Sequence, residues 1–265
     1  MKRLIELFAI IGVFILSGCF DSIEETTIKE DGSGMIADTF DMSKMISMLA
    51  AMGGDEKMKD AGKEKIDTTI LFKDIKDSLN KLSDAEKKLL EKGSARFLMN
   101  IKDEKFSISF SVPFTKVSDI NPINYALRKA SGKLLMTMME KITPEEKKGD
   151  LKGAEDNIEE KQNQVTPSIN SYYGTFYEKN KIFRRLDKEM IAKMSEDESL
   201  KSVKEMGQMG IGAMNMKTVI NLPKSAKKTE GKGVKLSDDK KTVTIEGTLD
   251  DFFEDPSFFE YEIEY

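Results

Sequence analysis

Chemistry in this 265-residue chain starts with its only cysteine, Cys19, which stands directly after Leu16-Ser17-Gly18. A thiolate is a ready side-chain nucleophile, able to form a thioether with a carbon electrophile. Little else in the composition offers reactive groups. There is no histidine and no tryptophan. Losing histidine removes the usual general base near neutral pH and the commonest metal ligand. The 17 methionines include Met42, Met45, Met48 and Met52 at helical spacing, and Met136, Met138 and Met139 in a second group. Thioethers suit Cu(I). Without histidine beside them, these sulfurs read as a core stripe with Ile46 and Leu49, or as an adaptable apolar surface. The glycine-rich residues 207–212 follow a helical pattern and precede a strand, the reverse of a phosphate-binding loop. Glu30-Asp31 and Asp238-Asp239 lack calcium-loop spacing and read as turns. No catalytic residue, cofactor ligand or metal ligand is assigned. Paired carboxylates, as glycosidases use, remain the one enzymatic option, and no spacing singles out a pair.

The surroundings of Cys19 explain its position. Lys2 and Arg3 give a positive start, and residues 7–16 are an uncharged apolar run, too short to span a bilayer as a helix. This is the pattern of a secretory signal. Leu16-Ser17-Gly18-Cys19 resembles the lipobox of bacterial lipoproteins at all four positions. The resemblance implies cleavage between Gly18 and Cys19, loss of residues 1–18, and a diacylglycerol on the Cys19 sulfur. Two or three acyl chains would hold the protein durably at a membrane. With Cys19 consumed, no disulfide can form within the mature chain. Phe20 follows the cysteine, so an inner-membrane retention signal of the aspartate type is missing there. The implied location is the bacterial cell envelope, at the outer membrane on its periplasmic or surface face.

The charge balance narrows the partners. With 42 basic against 47 acidic residues, the net charge is −5, and no concentrated basic face argues for nucleic acid. Residues 224–241 hold seven lysines against three acids, whereas residues 250–265 hold seven acids and no base. Glu260, Glu262 and Glu264 share one strand face. Cross-strand lysines would relieve their repulsion, and an acidic docking face is the alternative.

The elements that must position these groups are mostly hairpins. Residues 23–29 and 35–40 flank Asp31-Gly32, residues 95–102 and 105–114 flank Asp103-Glu104, and residues 172–178 and 181–186 flank Lys179-Asn180. Phe106, Ile108 and Phe110 alternate with Ser107, Ser109 and Ser111, giving one apolar face and one small polar face. Strands are further predicted at 214–222, 233–236, 241–249 and 258–265. Helices are predicted from Asp41 or Ser43 to 51, over 68–82 (whose first residues could equally be extended), from the capping box Ser83-Asp84-Ala85-Glu86 to near Gly93, over 119–141 and over 187–206. Residues 143–170 are charged, carry Pro144 and Pro167, and read as a flexible loop or linker.

Together these predict an α+β fold, a twisted and mostly antiparallel sheet with helices packed on one face. Residues 19–142 and 171–265 form two halves of one domain. The turn Glu30-Asp31-Gly32-Ser33-Gly34, then Asn221-Leu222-Pro223 ahead of the hairpin around residues 237–243, is similar to uncharacterised bacterial lipoproteins, the LppM-like group among them. That resemblance implies no catalytic residue. The expected function is a non-enzymatic binding or structural module close to the membrane, engaging an envelope protein or an apolar ligand. A carboxylate-based envelope hydrolase is the alternative. The first strand is predicted about three residues after Cys19, leaving roughly 10 Å of tether.

Overall fold

The computed structural model describes residues 21–44, 65–100, 102–142, 172–178, 180–194 and 214–265. Gly18, Cys19, residues 45–51 of the predicted first helix, the loop 143–170 and the glycines of 207–212 lie outside them.

The hairpin predictions hold. The strand β1 (Asp21–Ile28) turns back as β2 (Gly34–Asp41) with residues Glu24 and Asp38 directly opposite. The turn is fixed by Gly32 at φ 81° and by the Asp31 carboxylate, which accepts from the backbone and hydroxyl of Ser33 at 2.9 and 2.7 Å. Asp at this position and Gly in the left-handed region are the chemistry such a turn needs. β4 (Ser94–Asn100) and β5 (Lys105–Phe114) form the second hairpin. In β5, Phe106, Ile108, Phe110, Val112 and Phe114 are all buried, and the serines between them are half-buried on the other face. The third hairpin pairs β6 (Tyr173–Glu178) with β7 (Lys181–Leu186).

An eight-stranded sheet results, in the order β10-β11-β8-β1-β2-β5-β4-β3. It adds β3 (Lys65–Leu71), β8 (Asn215–Asn221), β10 (Val234–Leu236) and β11 (Thr242–Thr248). Every pairing in it is antiparallel except β1 with β8. A second sheet has the order β6-β7-β12-β9, with β9 (Lys228–Glu230) and β12 (Tyr261–Glu264). Helices α1 (Asp84–Leu90), α2 (Ile120–Ile142), α3 (Lys188–Met194) and α4 (Leu249–Glu254) complete an α+β fold. One continuous apolar core joins these elements, from Ile70 and Phe97 through Ile36 and Ile220 to Ile182 and Ile263.

Three sequence predictions are corrected. Of the segment 68–82, the first residues take the extended alternative as the end of the edge strand β3, in which Ile66, Thr68 and Ile70 face inward, and the expected helix is a 3₁₀ stretch at Phe72–Ser78. Pairing with β4 overrides the local helical pattern. The last strand is only Tyr261–Glu264, because Pro256 lacks an N–H and opens a 3₁₀ turn that Asp255 caps through Ser257. Before that turn lies α4, capped reciprocally by Thr248 and Asp251. Finally, β9 falls inside the lysine-rich residues 224–241, ahead of the strand predicted at 233–236, with Thr229 opposite Ile263. The capping box of α1 forms as predicted, Ser83 N donating to Glu86 at 2.6 Å.

Candidate functional site

Two acids occupy the apolar phase of the central hairpin. Inward positions alternate along β1 as Glu24, Thr26 and Ile28, and along β2 as Ile36, Asp38 and Phe40. Thr26, Ile28 and Ile36 are buried. Glu24 and Asp38, one step further toward the Asp21 end, are half-buried. Directly opposed residues place their Cβ atoms about 5 Å apart, so the structure brings two carboxyl groups together on the core face.

Arg184 of β7 reaches this pair from the second sheet. It is 3% exposed, and its Nη1 lies 3.3 Å from Glu24 Oε2. Its guanidinium stacks on the Tyr173 ring at 4.4 Å and donates to the Tyr261 hydroxyl. Thr218 of β8 adds a weak bond to Glu24 Oε2 at 3.4 Å. Nearby, the Tyr177 hydroxyl is hydrogen-bonded to Thr26. Thus Glu24, Thr26, Arg184, Tyr177 and Tyr261 stitch the two sheets together across the core.

Electrostatics split the two acids. Burial, then repulsion from Glu24, pushes the Asp38 carboxyl up to about 8, with Arg128 of α2 partly opposing the rise. Asp38 is therefore a neutral acid at neutral pH, able to give up a proton when a cation or base approaches. Burial also raises Tyr177, and raises Tyr261 to about 12. A carboxyl held in its protonated form beside a second carboxyl is the arrangement of general acid–base pairs. It is equally what remains when a sheet junction buries one ion pair and neutralises the surplus acid.

The outer face of the second sheet is a second polar cluster. Phe176, 46% exposed, stacks on Phe183 at 4.9 Å, with Lys181 and Arg185 over the Phe183 ring. Glu262 binds both cations, Lys181 at 2.9 Å and Arg185 at 2.6 Å, and Glu260 accepts from Leu186 N at 2.8 Å. The acidic strand face is thus matched by its neighbours, as cross-strand pairing predicts.

The sequence singled out neither Glu24 with Asp38 nor Arg184. A signal was present: in each strand, one charged residue stands in the phase otherwise held by Ile, Thr or Phe. The Asp31-Gly32 turn sets the register that makes Glu24 meet Asp38. Of the methionines, Met42 is buried in the core at 5% exposure; Met45, Met48 and Met52 lie outside the described residues. Among the described residues, no group of three or more Cys, Asp or Glu side chains could hold a metal, and no helix is long and apolar enough to cross a membrane. Compared with known proteins, the chain matches no family model, no curated protein and no solved structure.

Proposed function

We propose that the protein is a lipid-anchored module of the bacterial cell envelope that binds rather than catalyses. Its anchor is a diacylglyceryl group on Cys19, exposed by cleavage after Gly18, and its site is the outer membrane. One observation carries this reading: the lipobox ends two residues before β1, the fourth strand of the eight-stranded sheet. A folded domain that starts so close to a lipidated residue works at the membrane surface. The outer face of that sheet supports a protein partner over an enclosed apolar ligand. It presents half-buried Thr27, Thr39, Ser109, Ser111 and Thr244, short hydroxyls that suit a polar, planar contact.

Intact-mass spectrometry of the membrane-extracted protein beside a Cys19→Ser variant tests the anchor. An N-terminus at Cys19 carrying acyl mass, lost in the variant, is the expected result. A soluble product starting elsewhere would overturn the reading.

A carboxylate-based hydrolase is the second reading, favoured by the facing Glu24 and Asp38. Against it, Arg184 and Thr218 already occupy Glu24 Oε2, which leaves that oxygen a poor nucleophile. Glycan hydrolysis by the wild-type chain, abolished in both Glu24→Gln and Asp38→Asn variants that remain folded, would establish the enzyme instead.

A further inference from the structure

Resting on the lipid-anchor reading, we propose that the sheet rim at the Asp21 end is the surface that lies on the bilayer headgroups. The opposite rim, at the Ile28 end, then points away from the membrane.

Cys19 is two peptide steps from Asp21, and a fully extended chain spans at most about 7 Å over that distance. Asp21 is therefore held within about 7 Å of the acylated residue whatever path the chain takes. Strand register fixes which other residues share that height. Asp21 lies opposite Asp41, and β8 runs parallel with Asn215 at the same end, its side chain donating to Asp21 Oδ1 at 2.9 Å. Further along the rim come Thr248 of β11 on one side, and the turn between β4 and β5, with Lys102 and Glu104, on the other. Because β1 is fourth of eight strands about 4.8 Å apart, the anchor pins the rim near its middle, roughly 14 Å from one edge and 19 Å from the other. Neither edge has a long lever with which to swing the body over.

The rim's chemistry fits headgroups and not acyl chains. Its exposed side chains include Lys44, Lys65, Lys102, Glu104 and Asp250, all charged. Among the described residues, the exposed large apolar side chains of this sheet are Met35, Leu71 and Leu236. Register places each away from the Asp21 end: Met35 level with Thr27, Leu236 through Val243 and Ile220 level with Thr26, and Leu71 through Ser94, Ser111 and Ala37 level with Glu25. Four to six residues of strand, a rise of roughly 13–20 Å, separate those apolar groups from the anchored rim.

The test uses the acylated protein in phosphatidylcholine vesicles that carry a nitroxide on the headgroup. Since Cys19 is the only native cysteine and its sulfur is acylated, each introduced thiol takes the fluorophore alone. Lys102→Cys reports the Asp21 end, Glu30→Cys the Ile28 end, and Lys235→Cys, level with Glu25, the outer face. Quenching several-fold stronger at 102 than at 30 and 235 is expected. Equal quenching at 102 and 235 would lay the sheet along the membrane, and stronger quenching at 30 would invert it; either overturns the proposal. Intact mass on the same samples separates the two failures. Acylated protein with the wrong quenching order refutes the orientation alone, whereas unacylated protein refutes the anchor.

Discussion

The two ends of the β1–β2 hairpin treat the same core face differently. At the Ile28 end, Ile28, Ile36 and Val112 are 4%, 2% and 0% exposed, and packing decides everything. At the Asp21 end the same face carries Glu24 and Asp38, and stability rests on an ion pair from another sheet. Apolar burial is insensitive to pH and tolerant of imprecise partners. A half-buried acid pair is neither, since its cost depends on which proton is bound and on Arg184 staying in place. One hairpin thus joins a passive half to a conditional half.

The largest effect should come from the passive half. Ile36→Ala removes a buried branched side chain and should destabilise the fold by about 2–5 kcal/mol in chemical denaturation, equally at pH 5 and pH 8. A pH-dependent loss there would break the contrast. Next, Arg184→Leu strips Glu24 of its cation and should cost about 3 kcal/mol. Adding Glu24→Gln to that variant should restore part of it, which a double-mutant cycle reads directly.

Asp38→Asn should act in the opposite direction. In the fold, Asp38 holds its proton up to about pH 8, while the unfolded chain releases it near 3.8. Between those values the folded state binds the extra proton, so the stability of the wild type falls as pH rises, and the fall is complete above 8. The variant has no proton to lose. It should match the wild type near pH 4 and exceed it on the order of a few kcal/mol at pH 8. A gain that does not grow with pH would show that Asp38 is already ionised. The smallest change is Thr26→Val, at the boundary of the two halves. It breaks the bond to Tyr177 and should cost about 1 kcal/mol, with no pH dependence below 9.

Much of the fold was written locally. Strand pairs with a short turn between them, such as 94–100 with 105–114, declare themselves through alternation and turn residues. Ser83 and Glu86 announce α1 in the same way. What needed the structure was pairing across distance. Nothing near residue 229 says that it will face Ile263, and nothing near Asp21 says that its other neighbour is Asn215. The acid pair sits between these cases. Glu24 and Asp38 follow from a readable turn, yet Arg184 comes from a different sheet, and only its approach turns two strand acids into a junction.

The parallel pairing of β1 with β8 also orders events in time. As the chain is delivered N-terminus first, β1 can meet β2 almost at once, but its other edge stays unpaired until residue 221 is free, some 190 residues later. Contacts that distant form slowly, and an open strand edge is a template for pairing with the wrong chain. The residues waiting on that strand are Glu24, Glu25, Thr26 and Thr27. Two adjacent acids make a poor template for another strand, so the charges that complicate the finished core also guard the unfinished sheet.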